Sequence, residues 1–144
     1  MLKVLIIGAG AVGLGLASFL LKAGCMISFV GRESTVNALA GYGLYRVGIF
    51  NDFYSPPESF AVFSTLQAVP SEQFDFVLVC VKSFDTEILG QQIKISTFQK
   101  SSSAKFVLCQ NGWGNAEIFS KFVPQENIFS ARIITGFTCP ERNK

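Results

Sequence analysis

The chain has 144 residues, a formal net charge of +2 and no histidine. This length suits one domain with a sizeable core, and the small net charge lacks the basic excess of nucleic-acid-binding proteins. Without histidine, the commonest metal ligand and the commonest general acid are missing, so no metal site is predicted. Charged residues make up only 15% of the chain, against about 25% in typical domains. We therefore expect part of its surface to be covered.

The chain begins with an uncharged run, "VLIIGAGAVGLGLASFLL", from Val4 to Leu21. Its length is near the roughly 18 residues at which a membrane helix becomes a candidate. Its glycines argue against a membrane helix, because each costs about 1 kcal/mol in a helix interior. A secretion signal would need a small-residue cleavage site, and none follows. The run instead predicts a buried strand over Leu2–Ile7, a glycine turn and a helix from Ala11, in a cytoplasmic protein without a membrane segment.

The glycine turn has the spacing G-x-G-x-x-G at Gly8, Gly10 and Gly13. The first glycine permits a tight turn, the second lets the backbone approach a pyrophosphate, and the third lets helix and strand pack closely. The free N–H groups and the dipole of the helix N-terminus then favour the negative phosphates. The predicted cofactor-binding residues of the turn are Gly8, Ala9, Gly10, Ala11, Val12 and Gly13.

The second predicted strand, Met26–Val30, is followed by Gly31-Arg32 and by a short helix near 34–40 with Ser34 as its N-cap. Enzymes that prefer NAD usually carry an acidic residue after this strand, to bind the ribose 2′-hydroxyl. The guanidinium of Arg32 can instead grip a 2′-phosphate, so NADP is the predicted cofactor. Two alternatives stay open: Glu33 as a ribose ligand, and Arg32 as a solvated loop charge.

The rest of the chain alternates between strand and helix patterns. Such alternation predicts parallel βαβ units in a doubly wound, mainly parallel α/β sheet, a Rossmann-type dinucleotide-binding fold. "GLYRVGIF" and "FAVFST" are expected to be strands that pair as an antiparallel excursion across the turn-rich "NDFYSPPES". The remaining predicted elements are strands at 74–81, 105–110 and 128–134 and helices at 85–95 and 116–122.

Ligands of such sheets bind outside the carboxyl ends of the strands. Lys82 follows the strand 74–81, and Asn111-Gly112 follows the strand 105–110. Both are predicted to face a bound cofactor, although a strand-terminal lysine and an Asn-Gly turn also occur for structural reasons alone. Cys80 and Cys109 lie within apolar strand patterns and are expected to be reduced core cysteines.

Five segments in this order and spacing carry a family resemblance: "IIGAGAVGLGLA", "VGRES", "VCVKSFDTE", "CQNGWGN" and "ENIFSARIITGF". Together they resemble the N-terminal domain of the ketopantoate reductase (2-dehydropantoate 2-reductase) family. The resemblance implies that NADPH reduces a 2-keto acid, ketopantoate, to pantoate on the way to pantothenate and coenzyme A. It also implies that the glycine turn holds the pyrophosphate, Arg32 the 2′-phosphate, and Lys82 contacts the cofactor. Asn111 would lie between the nicotinamide ribose and the substrate.

The resemblance also implies that the proton-donating lysine and most substrate contacts belong to a helical C-terminal domain that this chain lacks. No catalytic residue is therefore predicted within 1–144, which would form the NADP-binding domain, and a homodimer is an option. Two other functions remain open. One is a non-catalytic NAD(P)-binding regulatory or redox-sensing module, and the other is a Rossmann dehydrogenase with a different keto or hydroxy substrate.

Overall fold

The computed structural model describes residues 1–82, 85–96, 103–110 and 113–144. Within these ranges the chain forms a six-stranded sheet, a separate two-stranded sheet and four α-helices. In chain order the elements are β1 (Lys3–Ile7), α1 (Ala11–Lys22), β2 (Met26–Val30), α2 (Glu33–Tyr42), β3 (Leu44–Arg46), β4 (Phe53–Ser55), β5 (Phe60–Phe63), β6 (Phe76–Val79), α3 (Thr86–Ile95), β7 (Lys105–Leu108), α4 (Asn115–Phe119) and β8 (Ile128–Ser130).

The large sheet has the strand order β5-β2-β1-β6-β7-β8, and every neighbouring pair is parallel. From β1 the chain adds β2 and then β5 on one side, and it later adds β6, β7 and β8 on the other. The strand order therefore reverses between β1 and β6. In open α/β sheets this switch point opens a crevice at the carboxyl ends of the strands, where ligands bind. The predicted doubly wound α/β fold is confirmed.

The central strand β1 is apolar because both of its faces are covered. Successive side chains of a strand point to opposite faces, and β1 divides its residues between two core clusters accordingly. Leu5 and Ile7 belong to the cluster that contains α3 and α4 residues, whereas Val4 and Ile6 belong to the cluster that contains Leu14 and other α1 residues. Two helical layers therefore enclose the sheet.

The predicted pairing between "GLYRVGIF" and "FAVFST" is wrong. The first segment supplies β3, which pairs antiparallel with β4, and β4 lies in the stretch predicted as a turn. The second supplies β5, which extends the large sheet parallel to β2. A buried cation holds the β3–β4 hairpin against α1: the Arg46 guanidinium donates to the Ser18 hydroxyl at 2.9 Å and lies 4.1 Å from the centre of the Phe19 ring.

Other predicted boundaries shift by a few residues. The predicted N-cap Ser34 is wrong, because α2 begins at Glu33 with Arg32 in the N-cap position. The strands β6, β7 and β8 end earlier than predicted. For β6 the reason is its neighbour: the Cys80 N–H donates to the carbonyl oxygen of Ile7, where β1 ends, and no ladder partner on β1 lies beyond it. Within the described ranges, the helices are too short or too polar to cross a bilayer.

The glycines of α1 and α2 differ in what surrounds them, and this difference can be tested. A methyl group at Gly13 would overlap the carbonyl oxygen of Gly8, whereas a methyl group at Gly41 meets no atom within 4 Å. We expect Gly13→Ala to lower the free energy of unfolding by roughly 1–3 kcal/mol, near the upper figure because backbone atoms cannot rotate away. The control Gly41→Ala should raise it by roughly 0.5–1 kcal/mol. Urea denaturation of both variants measures the difference, and equal effects would contradict the close approach at Gly13.

Candidate dinucleotide site

The glycine turn is anchored between the ends of β2 and β6. The Gly8 N–H donates to the carbonyl oxygen of Val30 at 2.9 Å. Gly8 has a φ of +102°, and a Cβ atom there would lie 2.8 Å from the carbonyl carbon of Cys80 and from the nitrogen of Val81. Both the positive φ angle of Gly8 and the lack of space beside it exclude a side chain. The first glycine of the motif is therefore required by the fold itself.

The middle of the turn is open. Gly10 is exposed, and a Cβ atom there would meet no atom within 4 Å. Gly10 is the N-cap residue of α1, and this helix start has neither a side-chain cap nor an acidic residue in its first turn. Uncapped N–H groups and the helix dipole favour an anion at such a position. This space and these donors fit the pyrophosphate of a dinucleotide, held by the turn from Gly8 to Gly13.

Arg32 lies beside this turn. The Gly31 N–H donates to the carbonyl oxygen of Phe63 at 3.0 Å, and a Cβ atom at Gly31 would lie 2.9 Å from the Cβ of Ala9. The loop after β2 is thus packed on the glycine turn. The Arg32 side chain is exposed, and within the described part of the chain it forms no ion pair. Its guanidinium is therefore available to an anionic group near the end of β2.

Lys82 lies on the opposite side of β1, three residues after the end of β6. Its side chain is exposed, and its carbonyl oxygen accepts a hydrogen bond from the Asp85 N–H at 3.0 Å. Asn111, the other predicted residue on this side, lies outside the described residues, as does Gly112. The structure thus places the glycine turn, Arg32 and Lys82 at the carboxyl edge of one sheet, with Arg32 and Lys82 flanking the turn.

A polar network at the ends of β6 and β7 was missed by the sequence analysis. The Gln110 side-chain amide donates to the Thr86 hydroxyl at 2.9 Å, and this hydroxyl donates to the Asn115 amide oxygen at 3.1 Å. Thr86 is fully buried and Asn115 nearly so. The only sequence signal was that polar residues stand at the starts of two helices, which capping alone would explain.

Two cysteines lie at the same edge. Cys80 and Cys109 follow β6 and β7 one step beyond the registered pair Val79 and Leu108, and both are free thiols. The hydrogen bond that Cys80 donates to Cys109 raises the pKa of the Cys80 thiol, and burial adds to this effect. The same bond lowers the pKa of Cys109. Cys80 is thus kept neutral as a donor, and both cysteines are packed in or against the core as predicted.

Among the described residues, no three cysteine or carboxylate side chains cluster as a metal site would need.

Comparison with known proteins identifies the family. The family described as "Ketopantoate reductase PanE/ApbA" matches residues 4–144. The chain belongs to the ketopantoate reductase family. This membership confirms the resemblance carried by the five motifs.

Individual ketopantoate reductase relatives cover nearly all of this chain. The 2-dehydropantoate 2-reductase of Aquifex aeolicus is 29% identical over 135 residues, which are 94% of this chain and 40% of that protein. The crystal structure of 2-dehydropantoate 2-reductase from Geobacter metallireducens has a TM-score of 0.76 at 28% identity, over 90% of this chain and 40% of its own. D-mandelate dehydrogenase, solved with NADH and anilino(oxo)acetate, shares the fold with a TM-score of 0.75 at 23% identity, over the same 90% and 40%. The chain spans about two fifths of the length of these relatives.

The openness at Gly10 leads to a prediction about binding. Gly10 has φ −92° and ψ −163°, a conformation that other residues adopt. Gly10→Val should therefore change the free energy of unfolding by less than about 1 kcal/mol. Its branched side chain would fill the space above the helix N-terminus, and we expect NADPH binding to be lost. Isothermal titration calorimetry with NADPH measures this loss, with Gly41→Val on the exposed face of α2 as control. Unchanged affinity in a folded Gly10→Val variant would mean that phosphates bind elsewhere.

Proposed function

We propose that residues 1–144 form the NADP-binding domain of a 2-dehydropantoate 2-reductase-like enzyme. It would reduce a 2-keto acid, ketopantoate, to the 2-hydroxy acid pantoate, in the cytoplasm, for pantothenate and coenzyme A biosynthesis. The observation that carries the proposal is the arrangement at the sheet edge: an open glycine turn between an exposed arginine after β2 and an exposed lysine after β6. A dinucleotide would fit this arrangement, with its phosphates over the turn and one nucleoside on either side.

The choice of NADP rests on the charge at the end of β2. Arg32 can form charge-assisted, bidentate hydrogen bonds with a 2′-phosphate. An acidic residue at this point would repel that phosphate. The carboxylate nearest in sequence is Glu33, which lies in the first turn of α2, where its negative charge interacts favourably with the helix dipole. D-mandelate dehydrogenase, a protein of the same fold, was solved with NADH, so the preference would follow from the charge after β2 and not from the fold.

The nicotinamide half of the cofactor would lie over β6 and β7. When bound, NADPH would supply a hydride to the carbonyl carbon of the substrate. This chain would bind and orient the cofactor. Lys82 would contact the cofactor, and Asn111 would reach both the nicotinamide ribose and the substrate. Neither residue is assigned as the proton donor, since Lys82 stands at the cofactor edge of the sheet and not across a cleft from it.

The proton donor and a second wall of the site would come from a helical C-terminal domain. Two observations support such a domain. The chain spans about two fifths of the length of its relatives. In addition, Trp113, in the loop after β7, is fully exposed, and Ile134, after β8, is 87% exposed. Large apolar side chains at the rim of a binding edge suit a surface that another domain covers.

The cofactor preference can be tested at Arg32. We expect Arg32→Ala to weaken NADPH binding by about 1.5–3 kcal/mol, the range for a hydrogen bond to a charged group, and to leave NADH binding nearly unchanged. Calorimetric titration with both cofactors gives the two affinities. Arg142→Ala, which removes an exposed arginine near the β3–β4 hairpin, is the matched control. Equal losses for NADPH and NADH would show that Arg32 does not bind the 2′-phosphate.

A second test compares the 144-residue chain with a protein that also carries the helical C-terminal domain. Residues 1–144 alone should bind NADPH but oxidise it with ketopantoate at least about 10²-fold more slowly than a protein that carries the helical domain, because general acid catalysis typically contributes 10²–10⁴-fold. The loss of NADPH absorbance measures both rates. Comparable turnover by the 144-residue chain would refute the two-domain proposal and make Lys82 the leading acid. Binding without turnover in either protein would favour a regulatory NAD(P)-binding module.

A further inference from the structure

The polar network at the ends of β6 and β7 forms a directed relay of hydrogen bonds. The amide nitrogen of Gln110 donates to the Thr86 hydroxyl, and this hydroxyl donates to the amide oxygen of Asn115. The same Gln110 nitrogen lies 3.5 Å from the carbonyl oxygen of Lys82, a long contact in which only the nitrogen can be the donor. One side chain therefore reaches the loop that carries Lys82, the start of α3 and, through Thr86, the start of α4.

The direction of the relay fixes the orientation of Gln110. A threonine hydroxyl has one proton, and Thr86 uses it for Asn115, so it must accept from the –NH₂ group of Gln110. The amide oxygen of Gln110 then remains as a buried acceptor that has no partner within the described ranges. A buried acceptor without a partner destabilises a fold. The contacts that the amide nitrogen of Gln110 makes with Thr86 and with the carbonyl oxygen of Lys82 offset part of this cost, and they join the end of β7 to the segment between β6 and α3, which points to a positioning role for Gln110.

The position of the relay indicates what that role is. Lys82 lies in the loop between β6 and α3, and Gln110 lies in the loop after β7, directly before Asn111 in the sequence. Both loops lie on the side of the switch point away from Arg32 and β2. The relay thus joins the two loops over which the nicotinamide half would lie, and it touches neither the glycine turn nor the end of β2.

We propose that Gln110 is a positioning residue for the nicotinamide half of the cofactor. Its amide joins the backbone at Lys82 and the buried Thr86–Asn115 pair to the end of β7, so that these positions are set before the cofactor binds. Loops that are already ordered cost less free energy on binding than loops that must be ordered by the ligand. This proposal rests on the proposed function, because it assumes that a nicotinamide dinucleotide binds at this edge.

The test separates the two halves of the cofactor. Gln110→Met keeps the length of the side chain and removes its donors. We expect it to weaken NADPH binding about tenfold, the scale of one good hydrogen bond. Binding of adenosine 2′,5′-bisphosphate, which lacks the nicotinamide half, should be unchanged. Calorimetric titration of the 144-residue chain with each ligand gives both affinities. Gln67→Met, the same change at an exposed position, is the matched control and should leave both affinities unchanged.

A second pair of variants tests the relay at its middle. Thr86→Val removes the hydroxyl at nearly constant volume and should reproduce the selective loss of NADPH affinity, whereas Thr86→Ser keeps the hydroxyl and should restore most of it. If Gln110→Met does not fold, this pair decides the question, since a purely structural role would not separate the two ligands.

The possible outcomes distinguish this proposal from the one on which it rests. If the unsubstituted chain binds NADPH and the variants lose both ligands equally, or lose neither, the positioning role of Gln110 is overturned and the proposed function stands. If the unsubstituted chain does not bind NADPH, the proposed function fails and the role of Gln110 falls with it.

Discussion

The close approach between Gly13 and the carbonyl oxygen of Gly8 is the constraint on which the site depends. It sets α1 directly against the end of β1, at a distance that leaves no room for a side chain at Gly13. Because the helix starts at this contact, its first N–H groups come to the carboxyl edge of the central strand. The open space at Gly10 follows from the same geometry: the chain must turn over the end of β1 before the helix can begin. The open, uncapped start of α1 is thus a consequence of packing.

The sheet topology places further candidate binding residues on both sides of this local feature. The chain runs from β1 to one side and later returns to the other, so residues far apart in sequence reach the two sides of the glycine turn. Arg32 arrives with β2 and carries the positive charge. The exposed Lys82 and the Gln110 relay arrive with β6 and β7, and the relay supplies the buried hydrogen bonding. We therefore expect Arg32 to contribute charge on one side, and on the other side we expect Lys82 to contribute charge and the relay to keep the backbone in place.

Much of this architecture could be predicted because the signals are local. β1 is buried on both faces, so its residues are apolar without alternation, and the glycines that follow are required by contacts within one strand–turn–helix unit. Arg32 could be placed because it comes two residues after the end of β2. The pairing of β3 could not be predicted. Its partner β4 is three residues long and lies in a stretch with turn composition, and what holds the hairpin is the buried Arg46, whose partners Ser18 and Phe19 belong to α1.

The sequence by itself determined the glycine turn, the order of the strands and helices apart from β4, and the charge after β2, because each depends on neighbours within a few residues along the chain. The tertiary structure alone decided that β5 joins the large sheet, that α2 begins one residue before Ser34, and that Gln110, Thr86 and Asn115 form one relay. These three residues are separated by up to 29 positions, and each is an ordinary polar residue in its local sequence. They come together because β6 and β7 pair in parallel, which brings the two following helices side by side.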